Sequence, residues 1–244
     1  TAKVIVGEHS AWTENPVLES LEDTVTAKRV DIVGVHAYGT ADRGPFPPIS
    51  QRSGPLVESL KLKKKIWQTE AANLGRNYPD IRDGLYWAKV LHTHVAENNT
   101  SGWFYWWAIS QYPAGGSMIH MDTKTNTYTV DKRLYTIGNF SRFVRPGYFR
   151  IPVDSEVAPG VLVSAYKNEQ QNKLVIVAIN ENVSTRKLEL RLNNITATSA
   201  TPCRTSATEN LVNLPELKIV DNILKATLAP GCVTTFVTTV TQIQ

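Results

Sequence analysis

Between residues 1 and 144, short apolar runs rich in β-branched and aromatic residues alternate with longer stretches of helical periodicity. The runs occupy residues 3–7, 30–35, 65–69 and 102–107. Their onsets are separated by about the length of a strand plus a crossover helix, and their unbroken apolarity predicts parallel strands covered on both faces. Among the intervening stretches, 81–98 carries Leu85, Ala88, Leu91 and Val95 on one helical stripe, and a second helix is predicted from about 131 to 144. From Arg145-Pro146-Gly147-Tyr148 onward the period changes. Segments 161–166, 173–178, 187–192 and 232–237 are short, alternating and rich in Val, Thr and Ile, which predicts an antiparallel β-sandwich. Two domains follow, 1–144 built from βα units and 145–244 built from strands.

Four βα units are half of what a closed eight-stranded barrel requires. An open parallel sheet of this size usually carries a glycine-rich phosphate loop, yet neither G-x-G-x-x-G nor G-x-x-x-x-G-K-[ST] occurs here. Either the sheet is small and open, or the other half of a barrel lies upstream.

Charge narrows the range of partners. The 26 Lys and Arg exceed the 22 Asp and Glu by only four, without the clustering that nucleic acid or an anionic membrane surface demands, so neither is an expected partner. No apolar run approaches the roughly 18 residues that cross a bilayer. The first residues, Thr1-Ala2-Lys3-Val4-Ile5, lack both an initiator Met and a signal-peptide pattern and read as a cut end. Cys203 and Cys232 are the only cysteines, and Asn-x-Ser/Thr triplets begin at Asn98, Asn99, Asn139, Asn182 and Asn194. Together they predict a secreted, extracellular glycoprotein with a Cys203 to Cys232 disulfide.

In a barrel, reacting side chains sit where strands end, at the C-terminal rim of the sheet. Those ends carry Glu8, then His36 and Tyr38 in Val35-His36-Ala37-Tyr38-Gly39, then Glu70 in Ile66-Trp67-Gln68-Thr69-Glu70, then Trp106 in Phe104-Tyr105-Trp106-Trp107. A carboxylate, an imidazole, a phenol and an indole at equivalent positions exceed what packing requires. Aromatic faces stack on the C–H faces of sugar rings, and hydrolysis of a glycosidic bond calls for two carboxyls flanking it. Carbohydrate is therefore the expected substrate class. His92-Thr93-His94 is not read as a metal site, because residues two apart on a helix point to different sides. No G-x-S-x-G motif supports a serine nucleophile.

At these same residues the sequence resembles glycoside hydrolase family 30, in its xylanase-like branch. The resemblance runs through the strand-end motifs above, then Gly138-Asn139-Phe140-Ser141-Arg142-Phe143-Val144-Arg145-Pro146-Gly147-Tyr148, Val163-Ser164-Ala165-Tyr166-Lys167, Val175-Ile176-Val177-Ala178-Ile179-Asn180 and Val233-Thr234-Thr235-Phe236-Val237. It implies a (β/α)8 barrel with a side β-domain, of which this chain holds strands five to eight. It also implies a retaining, cofactor-free hydrolase of xylan with Glu70 as nucleophile. His36, Tyr38 and Trp106 would line the subsite that holds the attacked sugar, with Glu8 and Trp12 in the cleft wall. The family's acid/base glutamate, in an Asn-Glu-Pro type motif, has no counterpart here, so it is expected on another polypeptide or segment, such as an N-terminal half-barrel. The loop Ala108-Ile109-Ser110-Gln111-Tyr112-Pro113-Ala114-Gly115-Gly116 lacks the arginines by which glucuronoxylan-specific members clamp a uronate, so a glucuronate branch is not expected to be required. Rival readings are a β-1,6-galactanase or β-1,6-glucanase on the same scaffold, and a non-catalytic carbohydrate-binding fragment.

Overall fold

The computed structural model describes residues 2–38, 46–75, 77–112, 116–154 and 156–243. Two compact units emerge: Thr1–Tyr78 with Val90–Val130, and Pro79–Lys89 with Asp131–Gln244.

The first unit is built on four strands, β1 (Ile5–His9), β2 (Ile32–His36), β3 (Lys65–Glu70) and β4 (Thr100–Trp103), paired in that order and all parallel. Three short helices, α1 (Leu18–Glu22), α2 (Thr24–Arg29) and α3 (Val57–Lys61), lie in the crossovers. Val33, Val35 and Ile66 pack with Val17, Leu21, Val30 and Leu56 into one apolar cluster. Two carboxylates start the helices. Asp23 accepts from the Thr26 amide at 2.6 Å to begin α2, and the buried Glu14 accepts from the amides of Glu58 and Ser59 at 2.8 and 2.9 Å to begin α3. Coverage on both faces holds for β2 but not for β1, whose residues are nearly all exposed because it forms an edge of the sheet. The predicted fourth strand also starts earlier and stops at Trp103, and the following Phe104 and Trp106 are exposed.

The long helix is present as α4 (Ile81–His92) followed by a π-helical turn, Thr93–Glu97. Ala88 and Leu91 of its expected stripe are buried, and so are Asp83, Trp87, Val90, His92 and His94, so burial extends over more than one side. Three further short strands complete the first unit: β5 (Ile109–Ser110), β6 (Ile119–Asp122) and β7 (Thr127–Val130), with β6 and β7 an antiparallel hairpin. Pro113, Ala114 and Gly115 of the arginine-free loop, and Gly39 of the His36 motif, lie outside the described residues.

The second helix, α5 (Lys132–Ser141), groups with the second unit. There Arg133 is fully buried between Asp83, at 2.8 Å, and Asp131, at 3.0 Å. The remaining strands are β8 (Phe149–Ile151), β9 (Glu156–Ala158), β10 (Val161–Asn168), β11 (Lys173–Asn180), β12 (Arg186–Arg191), β13 (Ile195–Thr196), β14 (Ser199–Thr205), β15 (Val212–Asn213), β16 (Leu217–Val220), β17 (Ile223–Leu228), β18 (Cys232–Thr239) and β19 (Gln242–Ile243). Ten of them join in one antiparallel path, β12-β17-β16-β14-β18-β11-β10-β8 with β9 and β15 at its sides. Alternate residues, among them Val161, Val163, Ile176, Leu188, Leu190, Leu224 and Phe236, meet in a single core, so the sheet folds over on itself as a sandwich does.

The expected disulfide is corrected by this register. Cys203 and Cys232 are both free and buried. Pairing of β14 with β18 sets Cys203 opposite Thr235, three residues from Cys232. An odd offset turns the two side chains to opposite faces of the sheet, and three residues of strand separate them by about 10 Å, beyond disulfide reach. Two of the glycosylation triplets are closed as well. Asn139 is fully buried, its amide donating to the Cys203 carbonyl and the Thr235 hydroxyl at 3.0 Å each, and Asn98 accepts from the Gly54 amide.

Candidate active site

At the C-terminal ends of β1, β2 and β3 the ladder slips twice. Gly7 pairs with Gly34 but His9 with Val35, and Val35 pairs with Gln68 but His36 with Glu70. Each slip leaves one residue over, Glu8 in β1 and Thr69 in β3, and such bulges re-aim side chains. Glu8 adopts a left-handed backbone with φ 60°, next to Gly7 at φ 110°. Its carboxylate lies over Gly34, where any Cβ would collide with it. The absence of a side chain at Gly34 is therefore what lets Glu8 reach across β2.

The result is a connected cluster. Tyr38 donates its hydroxyl to Glu70 Oε1 at 2.7 Å. His36 Nε2 is 3.2 Å from Glu8 Oε2 and 3.9 Å from Glu70 Oε2. Thr69 Oγ1 donates to Glu8 Oε2 at 2.9 Å. Two carboxylates thus share one imidazole nitrogen, and those two oxygens stand no more than about 7 Å apart. Burial first, and then the hydrogen bond to Glu70, push the Tyr38 phenol well above its ordinary value, so it stays protonated and donates to the carboxylate. The Glu70 side chain is 24% exposed and that of Glu8 49%. Glu70 is the more enclosed of the two while still open to a ligand.

Other residues hold the frame. The Arg52 guanidinium donates to the Ala37 carbonyl at 2.7 Å, one residue before Tyr38. The His94 ring is sandwiched in a polar relay: Trp103 Nε1 donates to its Nδ1 at 2.9 Å, and its Nε2 donates to the Arg52 carbonyl at 2.7 Å. Trp12 stacks flat on His94, with centroids 4.2 Å apart and planes 7° apart, and donates its indole N–H to the Gly54 carbonyl. Burial holds both His92 and His94 near 4, well below the usual imidazole range. They occupy different surroundings, and among the described residues no cluster of His, Cys, Asp and Glu is arranged to hold a metal.

Of the residues singled out from sequence, the structure brings together Glu8, His36, Tyr38 and Glu70. Trp106 follows β4 exposed to solvent, and its amide donates to the Ala71 carbonyl just past Glu70. Trp12 stacks on His94 and is partly exposed. Thr69, Gly34 and Arg52 carry no functional signal in the sequence itself, because the bulges and the close approach that give them meaning form only between strands. A carboxylate that accepts from a phenol, with an imidazole 3.9 Å away at a strand-end rim, can act as a nucleophile toward a sugar carbon.

No protein-family model matches the chain. Over 240 residues, 97% of its length, it is 33% identical to the glucuronoxylanase XynC of Bacillus subtilis, and it is 31% identical to the protein of that name from strain 168. The chain spans about half the length of these relatives, 52% of each. Among solved structures, it superposes on the glycoside hydrolase family 30 subfamily 8 xylanase Xyn30A of Clostridium acetobutylicum with a TM-score of 0.83 and 28% identity, covering 98% of this chain and 56% of that one. The family 30 endoxylanase of Clostridium papyrosolvens C71 gives 0.79 and 25% over the same shares. The resemblance read from the strand-end motifs therefore extends along the whole chain.

Proposed function

We propose that this chain, a relative of the glycoside hydrolase family 30 xylanases along its entire length, carries the nucleophile-bearing part of a secreted retaining β-glycanase that cleaves xylan. In this reading β1 to β4 stand for strands five to eight of a (β/α)8 barrel. The Glu70 carboxylate attacks the anomeric carbon, the bond from that carbon to the glycosidic oxygen breaks, and the leaving oxygen takes a proton from a carboxylic acid. Water, deprotonated by the same group, then attacks the glycosyl-enzyme and releases Glu70. Tyr38 orients Glu70 throughout by its hydrogen bond to Oε1.

Glu8 is assigned to positioning rather than proton donation, because His36 and Thr69 already engage the same oxygen. The donor is then a carboxyl outside the strands described above. The single observation that carries the proposal is the Tyr38–Glu70–His36–Glu8 cluster at the strand-end rim. Arginine is absent from the loop that follows Trp107, so a glucuronate branch is not required for cleavage.

Incubation with a 2-fluoro xylobioside followed by peptide mass analysis tests the nucleophile: an adduct on Glu70, lost in Glu70→Gln, is expected. Labelling of another carboxyl would refute the assignment. Activity on linear arabinoxylan comparable to that on glucuronoxylan supports the branch reading, and activity confined to glucuronoxylan overturns it. Azide rescue of a Glu8→Gln variant would identify Glu8 as the acid/base and correct its role.

A further inference from the structure

Beyond the cluster around Glu70, the aromatic surface continues. The ring of Trp106 is 5.3 Å from that of Trp107, which in turn is 5.6 Å from Tyr112, all by centroid. Tyr112 borders a shallow groove of about 470 Å³ on the β6–β7 hairpin. In that hairpin Met121 stands directly opposite Tyr128, so the two side chains share one face. Tyr112, Met121 and Tyr128 are exposed, Tyr128 by 70%, and Thr129 and Lys124 line the same groove. A tyrosine at that exposure contributes little to packing of the hairpin.

We infer that this groove is a distal binding site for a neutral glycan chain, a continuation of the cleft in which Tyr112 and Tyr128 stack against successive sugar faces. The argument is one of continuity and chemistry. Large apolar rings set in a polar rim match pyranose units, whose C–H faces are apolar and whose edges carry hydroxyls, and a Tyr ring offers wide contact at small entropic cost. The rings step from Trp106 through Trp107 to Tyr112, which borders the groove, so an extended chain that passes over Trp106 is led toward the hairpin. The bordering Asp122 carboxylate is turned inward, accepting from the amides of Lys124 and Thr125 at 2.8 and 3.2 Å, so its charge is partly spent on the turn. The inference rests on the xylan reading above and names where the polymer runs beyond the attacked sugar.

Affinity electrophoresis of the whole enzyme that carries this chain, in gels with and without linear arabinoxylan, separates the two claims, using wild type, Glu70→Gln, Tyr112→Ala, Tyr128→Ala and Tyr128→Phe. Wild type and Glu70→Gln are expected to be retarded alike. Both alanine variants should bind roughly three- to tenfold more weakly, the scale of one aromatic contact, and Tyr128→Phe should bind as wild type does. Thermal midpoints within about a degree of wild type establish that the exposed substitutions leave the fold intact. Retardation unchanged in both alanine variants would overturn the groove while leaving the xylan reading in place. If wild type itself is not retarded, the xylan reading fails and the groove proposal falls with it.

Discussion

His94 offers a quantitative test of how the frame behind the site is held. It is fully buried, stacked by Trp12, and accepts at Nδ1 while donating at Nε2, an arrangement that only the neutral ring can satisfy. Burial is the main reason its affinity for a second proton is low; the hydrogen bond to the Arg52 carbonyl opposes it, and the Arg52 charge adds to it. In the unfolded chain the same ring titrates near 6.5, whereas in the folded chain it titrates near 4. Below 6.5 the unfolded state binds the proton and the folded state does not. The stability contributed is therefore complete above about 6.5 and drains away as pH falls toward 4. Integrated from pH 7 to pH 4.5, this gap removes roughly 2 kcal/mol for His94, and His92, also buried and held near 4, removes a similar amount. Two rings together thus take roughly 4 kcal/mol from a total that for a typical domain is about 5–15 kcal/mol.

The perturbation that isolates one ring is His94→Gln, whose amide can still accept from Trp103 and donate to Arg52 but does not titrate. Urea unfolding followed by far-UV circular dichroism at pH 7 and pH 4.5 gives the stability of each protein. The variant is expected to be somewhat less stable at pH 7, through imperfect packing under Trp12. Its loss between pH 7 and pH 4.5 should be smaller than that of wild type by roughly 2 kcal/mol. Carboxylate protonation is common to both proteins and cancels in the difference. Equal losses in the two would refute the reasoning, since they would mean that His94 binds its proton equally in both states.

Three further outcomes are expected. Tyr38→Phe removes the donor to Glu70 Oε1, a charge-assisted bond worth roughly 1.5–3 kcal/mol, so kcat on a xylooligosaccharide or the rate of 2-fluoro labelling should fall by about 10- to 100-fold with little change in unfolding midpoint. Asp83→Ala strips one carboxylate from the fully buried Arg133 and should destabilise the protein by about 3–5 kcal/mol in urea titration; a loss under about 1 kcal/mol would show that Arg133 escapes to water. Thiol titration in guanidinium without reductant should find two free groups per chain, and finding none would restore the disulfide that the strand register rules out.

What could be read in advance was whatever depends on local period. The spacing of apolar runs gave the four parallel strands, the alternating Val and Thr segments gave the antiparallel sheet, and the polar residues closing each parallel strand gave Glu70, His36, Tyr38 and Glu8 as neighbours. Features set by partners across space were not legible. β1 has the composition of a covered strand but lies at a sheet edge, because coverage belongs to the neighbours and not to the run itself. The two cysteines invited a bond, yet whether they share a face depends on the parity of a register formed between strands thirty residues apart, of which sequence holds no record. The stacking of Trp12 on His94 is likewise set across space, by His94 arriving from the π-helical turn.

The same distinction governs how the rim cluster is aimed. A strand end fixes where a side chain emerges, so any carboxylate there reaches the rim whatever else packs nearby. How it is then aimed depends on a single missing Cβ at Gly34 and on two one-residue slips, which swing Glu8 across β2 and bring its oxygen to the imidazole that also faces Glu70. Gly34→Ala is the cheapest probe of that aim. Its methyl group would meet the Glu8 carboxylate on one side and Ile5 on the other, so Glu8 would have to leave His36 while β2 itself stayed buried. If Glu8 positions His36, the rate of Glu70 labelling should fall in Gly34→Ala as it does in Glu8→Gln. A labelling rate that both substitutions leave unchanged would show that Glu70 depends on Tyr38 alone.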